Sequence, residues 1–151
     1  MRITKFKTEL NDNHRPELIK EVAVNYPNEI HSPCEVVKML NEVFKLNRQS
    51  EEFLFMVCFT AKGKIIAVFE ISHGTVNSTF CSPREIFQKA LLCGAANIIL
   101  CHNHPSFDCS PSLEDKKTHL NISDAGKLIN IPLSDFIIIG GKNYYSFNEH
   151  Q

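Results

Sequence analysis

From Ala96 to Cys101 the chain runs short and apolar, and it stops at His102-Asn103-His104-Pro105. Such a run, too brief for an ordinary helix and lacking regular polar alternation, reads as a strand covered on both faces. A strand of that kind needs other layers against it, so the chain is held to a layered fold with a sheet inside. The way the strand ends carries the chemistry. Alternate side chains of a strand share a face, so His102 and His104 point the same way and Asn103 points away. Pro105 turns the chain out of the sheet.

The flanking sequence fills in the layers. Ser32-Pro33-Cys34-Glu35 has capping-box spacing with Pro at the first helical position, and Val36, Val37, Leu40, Val43 and Phe44 follow helical spacing to about Lys45. Glu52 to Thr60 reads as a buried strand, Ala61 to Lys64 as a turn, and Ile65 to Ile71 as the returning strand of a hairpin with Glu70 near its end. A polar stretch from Ser72 to Cys81 precedes a second capping box, Ser82-Pro83-Arg84-Glu85, with Gly94 as the helix stop. Ser112 opens a third helix, about 113 to 128, and Leu133 to Phe147 forms a closing hairpin. The order predicts a layered α/β domain, a mixed sheet with flanking helices, over residues 31–151. Residues 1–30 are expected to be an N-terminal extension, with 1–14 of low order and 17–26 either a strand or a short helix.

Asp115, eleven residues after His104, falls in the first turn of the third helix, where the loop can bring its carboxylate back to the histidines. Two imidazoles and a carboxylate are three protein ligands. That set leaves a fourth tetrahedral position for water, the mark of a catalytic zinc site. Zinc lowers the pKa of such a water to about 7. Glu70 is the expected proton shuttle, and Ser112 the expected hydroxyl donor to an oxyanion. Each has a plainer reading: Ser112 and Asp115 have the Ser-x-x-Asp spacing of a helix cap, Glu70 suits an exposed strand end, and His73, a spare ligand at most, suits a polar loop.

Taken together, His102-Asn103-His104-Pro105, six residues, then Ser112-Leu113-Glu114-Asp115 resembles the JAMM (MPN+) metallopeptidase pattern. Further residues are similar to the RadC-like JAB domain: Glu70 to Thr75, Pro83 to Phe87, Asp124-Ala125-Gly126, Ile137 to Gly140 and Tyr144 to Phe147. The resemblance covers about residues 31 to 149. It implies a cytidine-deaminase-like α/β fold (JAB/MPN), one zinc per chain and peptidase or isopeptidase chemistry. Carried over by position, His102, His104 and Asp115 match the metal ligands. Glu70 matches the acid/base that activates the zinc-bound water, and Ser112 the transition-state donor. Phe107 stands where the family usually has Gly, and His73 where Arg or Gln is more usual.

A "DNA repair" label travels with the family, and a non-catalytic repair or interaction module on the same fold is the alternative reading. The net charge of -1 lacks the basic excess of a phosphate-binding protein, so strong nucleic-acid binding is not expected, and the expected partner is a peptide or an isopeptide-linked protein. HNH nucleases spread those three residues over a larger unit, and the Pro-Cys-x-x-Cys signature of zinc deaminases is absent. The six cysteines have no CxxC pair and read as small buried hydrophobes in a reducing cytoplasm, Cys109 in a polar loop excepted. With no apolar leader and no run near the ~18 residues of a membrane span, a cytoplasmic protein is expected.

Overall fold

The computed structural model describes residues 1–74 and 81–150. The expected polar stretch between the second strand of the first hairpin and the second helix lies partly outside the described residues. Seven strands form one mixed sheet: β1 (Arg2–Leu10), β2 (Pro16–Asn25), β3 (Glu52–Phe59), β4 (Ile65–Gly74), β5 (Asn97–Asn103), β6 (Leu133–Gly140) and β7 (Asn143–Ser146), in the spatial order β2-β1-β4-β3-β5-β6-β7. Neighbours are antiparallel except β1 with β4 and β5 with β6, which are parallel. Among the described residues three α-helices cover the sheet: α1 (Pro33–Phe44), α2 (Pro83–Leu92) and α3 (Leu113–Ile129).

The strand that ends in the histidines is covered on both faces, as its composition demands. On one face Cys101 joins Val36, Leu40, Phe55 and Ile137 in a core closed by α1. On the other, Ile98 and Leu100 join Leu54, Met56, Ile86, Phe87 and Ile122 in a core closed by α2 and α3. Alternation along β5 then turns His102 to the α2–α3 face. Among the described residues no helix is long and apolar enough to cross a membrane.

Two expectations are corrected. Residues 1–14 are not of low order: with 16–25 they form a hairpin, β1 and β2, whose inner strand pairs with β4. Ile3 is fully buried, and the Met1 ammonium donates to Tyr26 O at 2.5 Å. Sequence patterning missed the strand because β1 carries Lys5 and Lys7 where an amphipathic strand would carry apolar residues. Lys5 is satisfied by Glu21 at 3.3 Å and Glu70 at 3.1 Å, so it can stand inside the sheet. The second expected capping box does not form. Ser82 is the N-cap of α2, but its side chain makes no capping bond and the turn closes through its carbonyl, which accepts from Glu85 N at 3.1 Å.

Candidate metal centre

The two histidines are held from behind. His102 Nδ1 lies 3.1 Å from Phe53 O, and His104 Nδ1 lies 2.7 Å from Asp108 O. A backbone carbonyl only accepts, so each imidazole carries a proton on Nδ1 and turns Nε2 forward. This is the arrangement that orients metal-binding histidines. Both Nε2 atoms face one carboxylate: His102 Nε2 is 3.7 Å from Asp115 Oδ1, and His104 Nε2 is 3.3 Å from Asp115 Oδ2. The rings stand edge to face with centroids 4.8 Å apart.

Asp115 reaches this point because Ser112 caps α3. Ser112 Oγ accepts from Asp115 N at 3.1 Å, while Asp115 Oδ2 accepts from Ser112 N and Ser112 Oγ, both at 2.7 Å. The complete capping box fixes the first turn of the helix and the carboxylate with it. Burial opposes the charge of Asp115, but bonds from His104 and Ser112 outweigh it and hold the carboxyl at about 2. The bond to Asp115 raises His104 above its ordinary value, whereas burial lowers His102 in spite of the same carboxylate. The carboxylate is thus ionised at neutral pH and His102 is held neutral, the states a cation needs.

Glu70 is not brought to this site. At paired positions side chains share a face of the sheet. Glu70 pairs with Phe55, and Phe55 with Cys101, so Glu70 lies on the α1 face, while His102 pairs with Leu54 on the other. The carboxylate of Glu70 is taken up by Lys5 at 3.1 Å and by His73 Nδ1 at 3.0 Å. His73, stacked on Phe53, joins that pair rather than the histidines. The expected placement of Glu70 fails on parity: β4 runs on to Gly74, so Glu70 lies within the strand, one row from the histidines, and points through to the wrong side.

Glu52 stands there instead. Its Oε2 is 3.8 Å from His102 Nε2, and a ligand atom each from Glu52, His102 and His104 lie within 4.8 Å of one another. Asn103 sets this up. Pointing away from the histidines, its Oδ1 accepts from Phe53 N at 2.7 Å and its Nδ2 donates to Glu51 O at 3.0 Å. Both neighbours of Glu52 are thereby tied to the histidine strand. Sequence reasoning placed Glu52 at the start of a buried strand and gave it no role. The signal was its parity with Leu54, which points to the same face as His102.

The donor set could hold a metal ion: two imidazole Nε2 atoms with satisfied Nδ1 positions, one buried ionised carboxylate, and a second carboxylate beside them. Comparison with known proteins gives the family. Residues 30–151 match the family model described as RadC-like JAB domain. The chain is 36% identical over 127 residues to a UPF0758 protein of Clostridium beijerinckii, covering 84% of this chain and 55% of that relative. It is 38% identical over 120 residues to a UPF0758 protein of Clostridium perfringens, covering 80% of this chain and 52% of the relative. It is 40% identical over 120 residues to one of Clostridium botulinum, with the same shares. The chain spans about half the length of the curated relatives it matches.

Proposed function

From the premise that this chain belongs to the RadC-like JAB domain family, we propose that it is a zinc-dependent hydrolase of peptide or isopeptide bonds. His102, His104 and Asp115 hold one zinc, Glu52 takes the acid/base role in place of Glu70, and Ser112 donates to the oxyanion. The observation that carries this reading is the convergence of two Nε2 atoms, each imidazole bonded to a backbone carbonyl through Nδ1, on one buried carboxylate.

Zinc held there supplies a Lewis acid that polarises a scissile carbonyl and lowers the pKa of a water. The protein's own part is proton handling and charge placement. Glu52 accepts a proton as water adds to the carbonyl carbon, and returns it to the nitrogen as the C–N bond breaks, so the leaving group departs as an amine. The Ser112 hydroxyl, given to Asp115 in this structure, turns its proton to the oxyanion. The partner is accordingly a peptide or an isopeptide-linked protein. The net charge of -1 supports only weak, salt-dependent contact with nucleic acid.

Elemental analysis of the purified protein beside a His102→Ala, His104→Ala variant tests the metal assignment. About one zinc per chain is expected in the wild type and none in the variant. Undiminished zinc in the double variant rules these ligands out.

A further inference from the structure

The loop leaving the histidine strand holds an aromatic residue in a conformation that aromatic residues avoid. Phe107 has φ 65°, in the left-handed region where a bulky residue is an outlier and glycine is at ease. A tight turn sets it there, with Phe107 N donating to His104 O at 3.0 Å. Two consecutive glycines then seat it. A Cβ added to Gly140 would stand 2.6 Å from Phe107 O, and one added to Gly141 would stand 2.8 Å from Phe107 Cδ1. The backbone of Phe107 is pressed on the first glycine and its ring lies on the second, so the direction of the ring is fixed.

All this precision is applied to a ring that contributes little to the core, because Phe107 is 67% exposed. Glycine would remove the strain at the loss of only the part of the ring that Gly141 covers. Backbone strain that folding does not require gathers where ligands are held, and here it can be read from outlier to function. Phe107 is one turn from His104, and the next residue, Asp108, supplies the carbonyl that orients the His104 ring. At the far end of the same loop a second apolar side chain, Leu113, stands 75% exposed directly after Ser112. Exposed apolar side chains therefore stand three residues after the histidine and directly after the serine in the chain.

Resting on the peptidase reading, we propose that Phe107 is a specificity-determining residue whose ring walls a subsite for a bulky apolar side chain adjacent to the scissile bond. A ring already fixed on Gly141 loses little conformational freedom when covered, so apolar contact with it goes largely into affinity. Discrimination by such contact is on the order of 10–200-fold between side chains differing by a methylene or more.

The chain has no Trp, so Phe107→Trp introduces a sole indole at the subsite. Two libraries of short peptides, randomised except for a central Leu in one and a central Ala in the other, are titrated into the metal-free Phe107→Trp protein. Without metal no cleavage interferes. The Leu library is expected to shift the indole emission at roughly tenfold or lower concentration than the Ala library. With the zinc-loaded wild type, kcat/KM should favour the Leu library at least about tenfold, and Phe107→Gly, which suits the backbone, should bring the ratio to within about threefold. Equal titrations, or a Phe107→Gly protein that keeps the wild-type preference, overturn the subsite. A Leu preference in binding with no cleavage of either library leaves the subsite standing and removes the peptidase reading.

Discussion

Adding one methyl group at Gly140 asks how firmly the sheet supports the histidines. In Gly140→Ala the new Cβ would stand 2.6 Å from Phe107 O, 2.7 Å from Cys109 N and 2.9 Å from Phe107 C. All three are backbone atoms, so no side chain can swing aside and the loop itself must move. Between them sits Asp108, whose carbonyl accepts from His104 Nδ1 at 2.7 Å. The strand side is anchored, since His104 N donates to Ile139 O at 2.8 Å, and the displacement therefore falls on the bond to the ring. Overpacking of this kind costs about 1–3 kcal/mol. For a chain of this size each kcal/mol lowers Tm by roughly 2–4 °C, giving a fall of about 2–12 °C. Loss of a carbonyl that orients a metal-binding imidazole costs a further 10–100-fold, roughly, in metal affinity. Calorimetry of the metal-free protein reads the first effect, and zinc competition against a chromophoric chelator reads the second. A Gly140→Ala protein with wild-type Tm and wild-type zinc affinity would refute the coupling of this glycine to His104.

Ser112 carries two separable roles: Ser112→Ala should lose about 0.5–2 kcal/mol of stability with the cap and, through the lost donor, a further 10²–10³-fold or so in kcat. Ser112→Asn keeps a cap without a hydroxyl, so urea unfolding should find it near wild type while kinetics finds it impaired; full activity would reduce Ser112 to a cap. Asn103→Ala leaves Phe53 N and Glu51 O without their partner, which costs about 1–3 kcal/mol for each group left buried and unpaired. It should retain its zinc while kcat falls, because Glu52 is positioned by the residues on either side of it, and loss of zinc in this variant would instead make Asn103 a support of the metal.

Much of this centre was legible because its parts are local. His102 and His104 share a face by strand alternation, and Asp115 is fixed three residues from its cap, Ser112, by a box that a sequence spells out. Both outer cores follow from the composition of one strand, Asn97–Asn103. What was not legible depends on register. Glu52 opens β3 and Glu70 lies within β4, both near the histidines in the sheet, and a β-bulge between Leu54 and Phe55 sets how β4 aligns with β3. Which carboxylate faces the histidines is decided by parity across paired strands, and a slip of one residue would exchange the faces. The hairpin of β1 and β2 was hidden for a related reason. Lys5 reads as solvent-seeking until the carboxylates of Glu21 and Glu70 are brought beside it from other strands. Phe107 could be read as an apolar residue in a polar loop, but its φ of 65° belongs to the folded chain alone.

The central assignment is that Glu52, not Glu70, handles the proton, and zinc content with peptide or isopeptide hydrolysis, measured side by side in Glu52→Gln and Glu70→Gln, tests it most directly. Gln keeps the shape of Glu and cannot cycle a proton. Glu52→Gln is expected to keep about one zinc per chain and to lose at least the 10²–10⁴-fold, or so, typical of general acid–base catalysis. Glu70→Gln is expected to hydrolyse as the wild type does, with at most about 1 kcal/mol lost through its pairing with Lys5. A Glu52→Gln protein with full activity, beside a Glu70→Gln protein that holds zinc and is inactive, would contradict the assignment.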